Sequence, residues 1–245
     1  MTLLGSIRQF LLRFTGAVSS DYRPLGEEQP PDGWRDSMIA QRQKEAYAPL
    51  LRDLRRGAPR ADFVTAANAV RACGIASPSL LEIGCGSGYY SEVFSTLVGP
   101  LRYTGVDYSA SMLALACADY PSERFVLADA AHLPFADGSF DIGLSGNSLM
   151  HIPDYAGAIA ETARVSKRWC IFHSVPVIDH GPTARMRKKA YGVDVFEATF
   201  QTGELESLFR EASLTVRSVE DSLPYDLSFV LGEHSRSVTF VCEKA

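Results

Sequence analysis

Leu80-Leu-Glu-Ile-Gly-Cys-Gly-Ser-Gly-Tyr-Tyr-Ser91 is the stretch whose reading decides the fold of this chain. Leu80, Leu81 and Ile83 form a short apolar run, as expected of a buried strand. Glycines follow at alternate positions, Gly84, Gly86 and Gly88, and Tyr89 to Val98 is helix-compatible. A strand, a glycine turn and a helix in that order bring backbone N–H groups and a helix N-terminus against a ligand. Glycine is needed where φ turns positive or where a side chain would block that approach.

Two further strand ends extend the pattern. Tyr103-Thr-Gly-Val-Asp107 reads as a second strand, and its closing carboxylate lies 19 residues after Gly88. An acid at that distance suits the two hydroxyls of a ribose. Phe125-Val-Leu-Ala-Asp129 reads as a third strand, again closed by an aspartate. In an open parallel sheet, ligands bind outside the carboxyl ends of the strands.

The set Glu82-Ile-Gly-Cys-Gly-Ser-Gly88, Gly105-Val-Asp-Tyr-Ser109, Asp129-Ala-Ala-His-Leu-Pro-Phe135 and Phe140-Asp141 resembles class I S-adenosylmethionine-dependent methyltransferases. Glu161-Thr-Ala-Arg-Val-Ser166 is similar to the helix that follows the fourth strand in that family. The likeness covers roughly residues 75 to 175. It implies an α/β, Rossmann-like, mostly parallel sheet of about seven strands, with helices on both faces and the last strand antiparallel. It also implies S-adenosylmethionine as cofactor. Residues 1–74 are expected to be an N-terminal helical segment and cofactor cover. Residues 75–245 are expected to be the α/β domain, with a substrate-side insertion near 175–202.

The resemblance assigns roles residue by residue. The backbone at Gly84, Cys85 and Gly86 approaches the methionine end, Gly88 is a further cofactor-binding residue, and Glu82 orients the turn or reaches the ammonium. Asp107 accepts from the ribose hydroxyls, with Tyr108 and Met112 nearby. Asp129 accepts from the adenine amino group and Ala130 N–H faces the ring. Ser145 opens the fourth strand's end, Ser145-Gly-Asn-Ser-Leu-Met-His151, which should face the methyl. His151 is the candidate catalytic base for a hydroxyl acceptor, with a loop-shaping role as the competing reading. His173 and His180 are weaker candidates.

No Asn-Pro-Pro-Tyr or Asp-Pro-Pro-Tyr follows the fourth strand. Those motifs accompany amino-group methylation in related families. A small-molecule or glycan acceptor methylated on oxygen, without a metal, is therefore the leading expectation. A nicotinamide-dependent oxidoreductase shares the glycine turn and the acid, but its glycine spacing differs and Asp129 would lack a role. A non-catalytic cofactor-binding module is the remaining alternative.

Composition agrees with one sizeable α/β domain: 245 residues, 46% hydrophobic, 22% charged. A formal charge of −5 argues against a general nucleic-acid binder. The five cysteines, at 73, 85, 117, 170 and 242, include no Cys-x-x-Cys pair. Their odd number, without a secretory signal, points to reduced thiols and a cytoplasmic setting.

Toward the N-terminus, Leu3, Leu4, Ile7, Phe10, Leu11 and Phe14 share one helical stripe beside Arg8 and Arg13. Packing on its own domain or a partner subunit is the favoured reading. Weak membrane-surface contact through 1–15 and a transit-peptide role are the alternatives. Asp21 to Gly33 reads as a loop, Asp36 to Arg56 and Asp62 to Cys73 as helices. Trp34, Arg42 and Tyr47 are candidates to line the cover. The basic run Arg185-Met-Arg-Lys-Lys189 in the insertion reads as a solvated helix face in preference to an anion site.

Overall fold

A computed structural model describes residues 21–245. The amphipathic stretch 1–15 lies outside the described residues. Ten strands form one sheet among those described: β1 (Tyr22–Pro24), β2 (Ser79–Ile83), β3 (Arg102–Asp107), β4 (Arg124–Leu127), β5 (Phe140–Gly146), β6 (Ser166–Ile178), β7 (Ala184–Ala190), β8 (Val193–Gln201), β9 (Leu214–Asp221) and β10 (Ser235–Lys244). The helices are α1 (Ser37–Arg55), α2 (Ala61–Ala72), α3 (Tyr89–Leu97), α4 (Ala110–Asp119), α5 (Tyr155–Val165), α6 (Thr202–Glu211) and α7 (Ser228–Leu231).

Seven strands make the central sheet, in the order β4-β3-β2-β5-β6-β10-β9. β4, β3, β2, β5 and β6 are mutually parallel, and β10 runs antiparallel to both β6 and β9. The chain leaves β2 toward β3 and β4, then crosses back to β5 and β6 on the other side. The reversal opens a crevice at the carboxyl ends of β2 and β5.

Alternation along each strand explains its sequence. Leu80, Ile142, Leu144 and Ile171 face a core formed with Phe63 and Val70 of α2 and Tyr90, Val93 and Phe94 of α3. Leu81, Ile83 and Val106 face the opposite side with Leu133 and Val165. Cys170 and Phe172, on that side of β6, pack with Ile159 of α5 and Phe209 of α6. Strands covered on both faces need apolar residues at nearly every position, which is why β2 and β6 read as continuous runs. Glu82 breaks the run while only 1% exposed.

The insertion differs from its sequence reading. The basic run is β7, not a helix, and with β8 it forms an antiparallel hairpin. β1 pairs with β7, and β8 pairs with the far end of β6 through Val177–Phe200. These three strands are the excess over seven. The reason is the alternation Met186-Arg-Lys188 opposite Val195-Phe-Glu197: a two-residue period sends alternate side chains to the two faces of a ribbon, which a helix would not do.

Candidate functional site

The glycine turn is tied down from β3. The Gly84 and Cys85 N–H groups both donate to Val106 O, at 2.8 and 2.9 Å. Gly86 N–H donates to Asp107 Oδ2 at 2.8 Å, and Ser109 N–H to Asp107 Oδ1 at 2.8 Å. One carboxylate thus holds the turn and starts α4. Burial pushes the Asp107 carboxyl up, opposed by the Ser109 and Gly86 N–H groups. Gly84 has φ +72°, and a Cβ there would lie 2.5 Å from Ser148 Cβ. Only glycine lets the ends of β2 and β5 approach this closely.

Two adjoining cavities lie over this crevice. The smaller, about 90 Å³, is bordered by Val106, Asp107, Tyr108, Met112, Ala128 and Ala130. The larger, about 920 Å³, extends to the hairpin. Trp34, Gln43, Gly84, Gly86, Asn147 and His151 border both and mark their junction.

The sequence-selected residues divide accordingly. Gly84, Gly86, Asp107, Tyr108, Met112, Ala130 and His151 border the smaller cavity, whereas Glu82 and Cys85 border the larger. Tyr108 sits under the Arg35 guanidinium, 4.7 Å from the ring centroid. Three stand back from both walls. Gly88 is the N-cap of α3, packed on Phe125 and Ala116. Ser145 bonds Ser148 Oγ at 2.7 Å and so braces the loop. Asp129 is exposed and accepts from Ala131 N–H at 2.9 Å, while its neighbours Ala128 and Ala130 reach the cavity. Of the cover candidates, Trp34, Arg42 and Tyr47 all border the larger cavity.

Glu82 is a buried carboxyl facing that cavity. Burial raises it well above the usual range, and Tyr103 Oη–H donates to it in partial opposition.

His151 closes the 3-10 turn Leu149–His151 at the end of β5. Its Nδ1 lies 2.9 Å from Phe196 O. A carbonyl oxygen only accepts, so Nδ1 carries the proton and Nε2 keeps its lone pair. Burial lowers the pKa below the ordinary imidazole value, with Glu197 opposing, so the ring is neutral at pH 7. The Trp34 ring packs on it at 4.8 Å between centroids. His173, by contrast, is 1% exposed, with both ring nitrogens engaged by Thr239 and Ser174 and its pKa lowered to about 4 by burial. His180 is exposed and borders neither cavity.

Several cavity residues carry no sequence motif. Asn147 adopts φ +56° and donates from Nδ2 to Tyr90 Oη at 2.9 Å. Its place in Ser145-Gly-Asn-Ser148 was the one available signal, since asparagine tolerates the left-handed region. Trp34 is positioned by Gly33, where a Cβ would lie 2.3 Å from Asp194 O of β8. On the far wall, Lys188 Nζ lies 2.7 Å from Glu197 Oε2, and Tyr225 Oη donates to Glu197 Oε1 at 2.5 Å. Burial alone would lower Lys188 and raise Glu197. Their mutual attraction outweighs it, so Lys188 is raised, Glu197 lowered, and both are charged.

The sheet order, the glycine turn and the acid at the end of β3 define the class I methyltransferase fold. Residues 81–172 match the family described as a methyltransferase domain. The demethylmenaquinone methyltransferase of Staphylococcus aureus strain JH9 is 38% identical over 91 residues, covering 36% of this chain and 38% of the relative. The chain thus matches well under half the length of that relative. Two solved structures share the fold. The Burkholderia thailandensis 1,6-didemethyltoxoflavin-N1-methyltransferase, with bound 1,6-didemethyltoxoflavin and S-adenosylhomocysteine, is 19% identical at TM-score 0.60, covering 91% of this chain and 95% of that one. Magnesium protoporphyrin IX methyltransferase from Synechocystis PCC 6803, with bound S-adenosylhomocysteine, is 14% identical at TM-score 0.61, covering 87% and 97%.

Proposed function

We propose that this protein transfers a methyl group from S-adenosylmethionine to an oxygen of a small-molecule acceptor, with His151 as general base. The observation that carries the reading is the junction between the cavities, where the glycine turn and His151, its Nδ1 bound to Phe196 O, border the same space. The donor set fits the cofactor. Asp107 is a carboxylate at the cavity wall, an acceptor suited to ribose hydroxyls. Glu82 suits an ammonium, and Ala128 and Ala130 leave a flat wall for an adenine. The match to a methyltransferase domain favours methyl transfer over nicotinamide chemistry. The names of the relatives, a menaquinone precursor enzyme and a toxoflavin precursor enzyme, favour a small ring-containing acceptor over a glycan.

When bound, the cofactor supplies a methyl already activated by its sulfonium. The chain's own residues hold the acceptor oxygen in line and take its proton on His151 Nε2. The Phe196 carbonyl fixes the tautomer, and Trp34 limits the motion of the ring. Alignment of this kind supplies on the order of 7–11 kcal/mol, and a positioned base about 10²–10⁴-fold.

We further propose that residues 21–74 act as a cover, since α1 brings Arg42, Gln43 and Tyr47 to the cavity wall. The test is methyl transfer from labelled S-adenosylmethionine to a panel of hydroxylated ring compounds over a range of pH. Because the His151 pKa is lowered, the acid limb should fall below about pH 6.5. A limb at or above that value, or one unchanged in His151→Ala, would contradict the base assignment.

A further inference from the structure

The far wall of the larger cavity has a built polar centre within aromatic surroundings. In the strand registers, Tyr22 lies opposite Lys188, and Lys188 lies opposite Val195. Glu197 is two residues beyond Val195 and therefore on the same face, a diagonal pair within reach of long side chains. The other face carries Phe196, Ala198 and Phe200 into the core with Phe172. The ribbon thus presents Tyr22, Lys188 and Glu197 together, and Tyr225 closes over them. Tyr22 and Tyr225 hydroxyls are 2.9 Å apart.

Glu197 is fully engaged and 2% exposed, whereas the Lys188 side chain keeps 18% exposure at the cavity. Two of its three ammonium donors are directed at Glu197 and Tyr225, at 2.7 and 3.4 Å. Tyr22 is a third neighbour of the ammonium, and the exposed part of the side chain at the cavity is what a ligand oxygen can reach. Because its charge is already matched by Glu197, this ammonium favours a neutral oxygen over a phosphate or carboxylate. The same holds for Arg60, which is paired with Asp62. A second, independent feature points to a ligand oxygen: Trp34 Nε1 is buried at the junction with no hydrogen-bond partner among the described residues. Trp34, Tyr47, Tyr89, Tyr191 and Tyr225 border the same space, a composition suited to a flat aromatic ligand.

We propose that Lys188, held by Glu197 and Tyr225, is the specificity-determining residue that docks a neutral oxygen substituent of a planar aromatic acceptor. The assignment rests on the methyl-transfer reading and deepens it. Lys188 positions the acceptor and takes no part in the proton transfer.

The test uses the full chain saturated with S-adenosylhomocysteine and two probes, 2-naphthol and naphthalene, followed by their fluorescence. The wild type should bind 2-naphthol at least about tenfold more tightly than naphthalene. The double variant Lys188→Met/Glu197→Met removes the centre without stranding a buried charge. It should keep its S-adenosylhomocysteine affinity and bind the two probes within about threefold of each other. His151→Ala should keep the preference. Failure of 2-naphthol to bind, equal binding in the wild type, or a preference that survives the double variant overturns the proposal. So does a preference lost only in His151→Ala, which would assign the oxygen to the base. If the double variant does not bind S-adenosylhomocysteine, a wild-type crystal with 6-bromo-2-naphthol decides. Bromine scattering fixes the ring, and a hydroxyl beyond hydrogen-bond reach of Lys188 Nζ overturns the assignment. Absence of S-adenosylhomocysteine binding in the wild type is seen before any naphthol is added. It would bring down the methyl-transfer reading itself and this proposal with it.

Discussion

The two ends of the cavity system are built from different materials. At the glycine turn, the wall includes Gly84, Gly86, Ala128 and Ala130, which offer little beyond backbone, with Val106, Tyr108 and Met112 beside them and one carboxylate, Asp107, holding the turn in place. At the hairpin, the wall is side chain: Lys188, Glu197 and Tyr225 in a mutually bonded cluster, with Trp34 at its edge. A backbone wall gains little from changing side chains and suits one invariant ligand. A side-chain wall is rebuilt by single substitutions and suits a ligand that differs between proteins of the same fold. We therefore assign the common cofactor to the first wall and the particular acceptor to the second.

The largest effect should come from the backbone wall. Gly84→Val should abolish S-adenosylhomocysteine binding by calorimetry, because a side chain at φ +72° meets Ser148 at the junction. Normal affinity would mean that the cofactor does not lie against the turn. Next in size is the side-chain wall. Lys188→Met leaves Glu197 charged at 2% exposure and should cost about 3–5 kcal/mol in urea unfolding. The double variant with Glu197→Met should recover most of this. Since Glu197 is lowered in the fold, its contribution is present above its unfolded value, about 4.3, and is lost as pH falls through the folded one. A pair whose contribution vanished above pH 5 would break the buried-pair description.

His151→Ala, at the meeting of the walls, should lower turnover by at least about 10²-fold with cofactor affinity kept. Single-turnover rates at two cofactor concentrations would separate this from a binding defect. Asp107→Ala should weaken S-adenosylhomocysteine by about 1.5–3 kcal/mol, read by calorimetry; an unchanged constant would remove the ribose role. The smallest effect concerns Glu82. An ammonium brought beside this raised carboxyl should release up to about one proton on binding. Binding enthalpies in buffers of different ionisation heat report that release, and Glu82→Gln should abolish it.

The first wall was legible in the sequence because its requirements are local. A positive φ after β2 calls for glycine, and a carboxylate at the end of β3 lies a fixed distance along the chain. The strands read near 80–83, 103–107 and 125–129 and the helix from Tyr89 followed from the same short-range patterns. The second wall was not legible. Tyr22, Lys188, Glu197 and Tyr225 are separated by up to 203 residues and meet only through strand register. Nothing near Lys188 distinguishes it from Lys189, which faces away from Glu197. The misreading of 185–189 as a helix face has the same origin, since a run of four basic residues hides a two-residue period. Asp129 shows the converse limit: a strand-end aspartate matched the pattern, but its carboxylate turns to the Ala131 N–H and lies exposed.

The most direct measurement is a crystal structure of the full chain with S-adenosylhomocysteine. The ribose should sit on Asp107, the ring beside Ala128 and Ala130, and the sulfur at the junction bordered by Trp34, Gly84, Asn147 and His151. A ligand elsewhere, or one whose sulfur lies away from His151 Nε2, would contradict this placement.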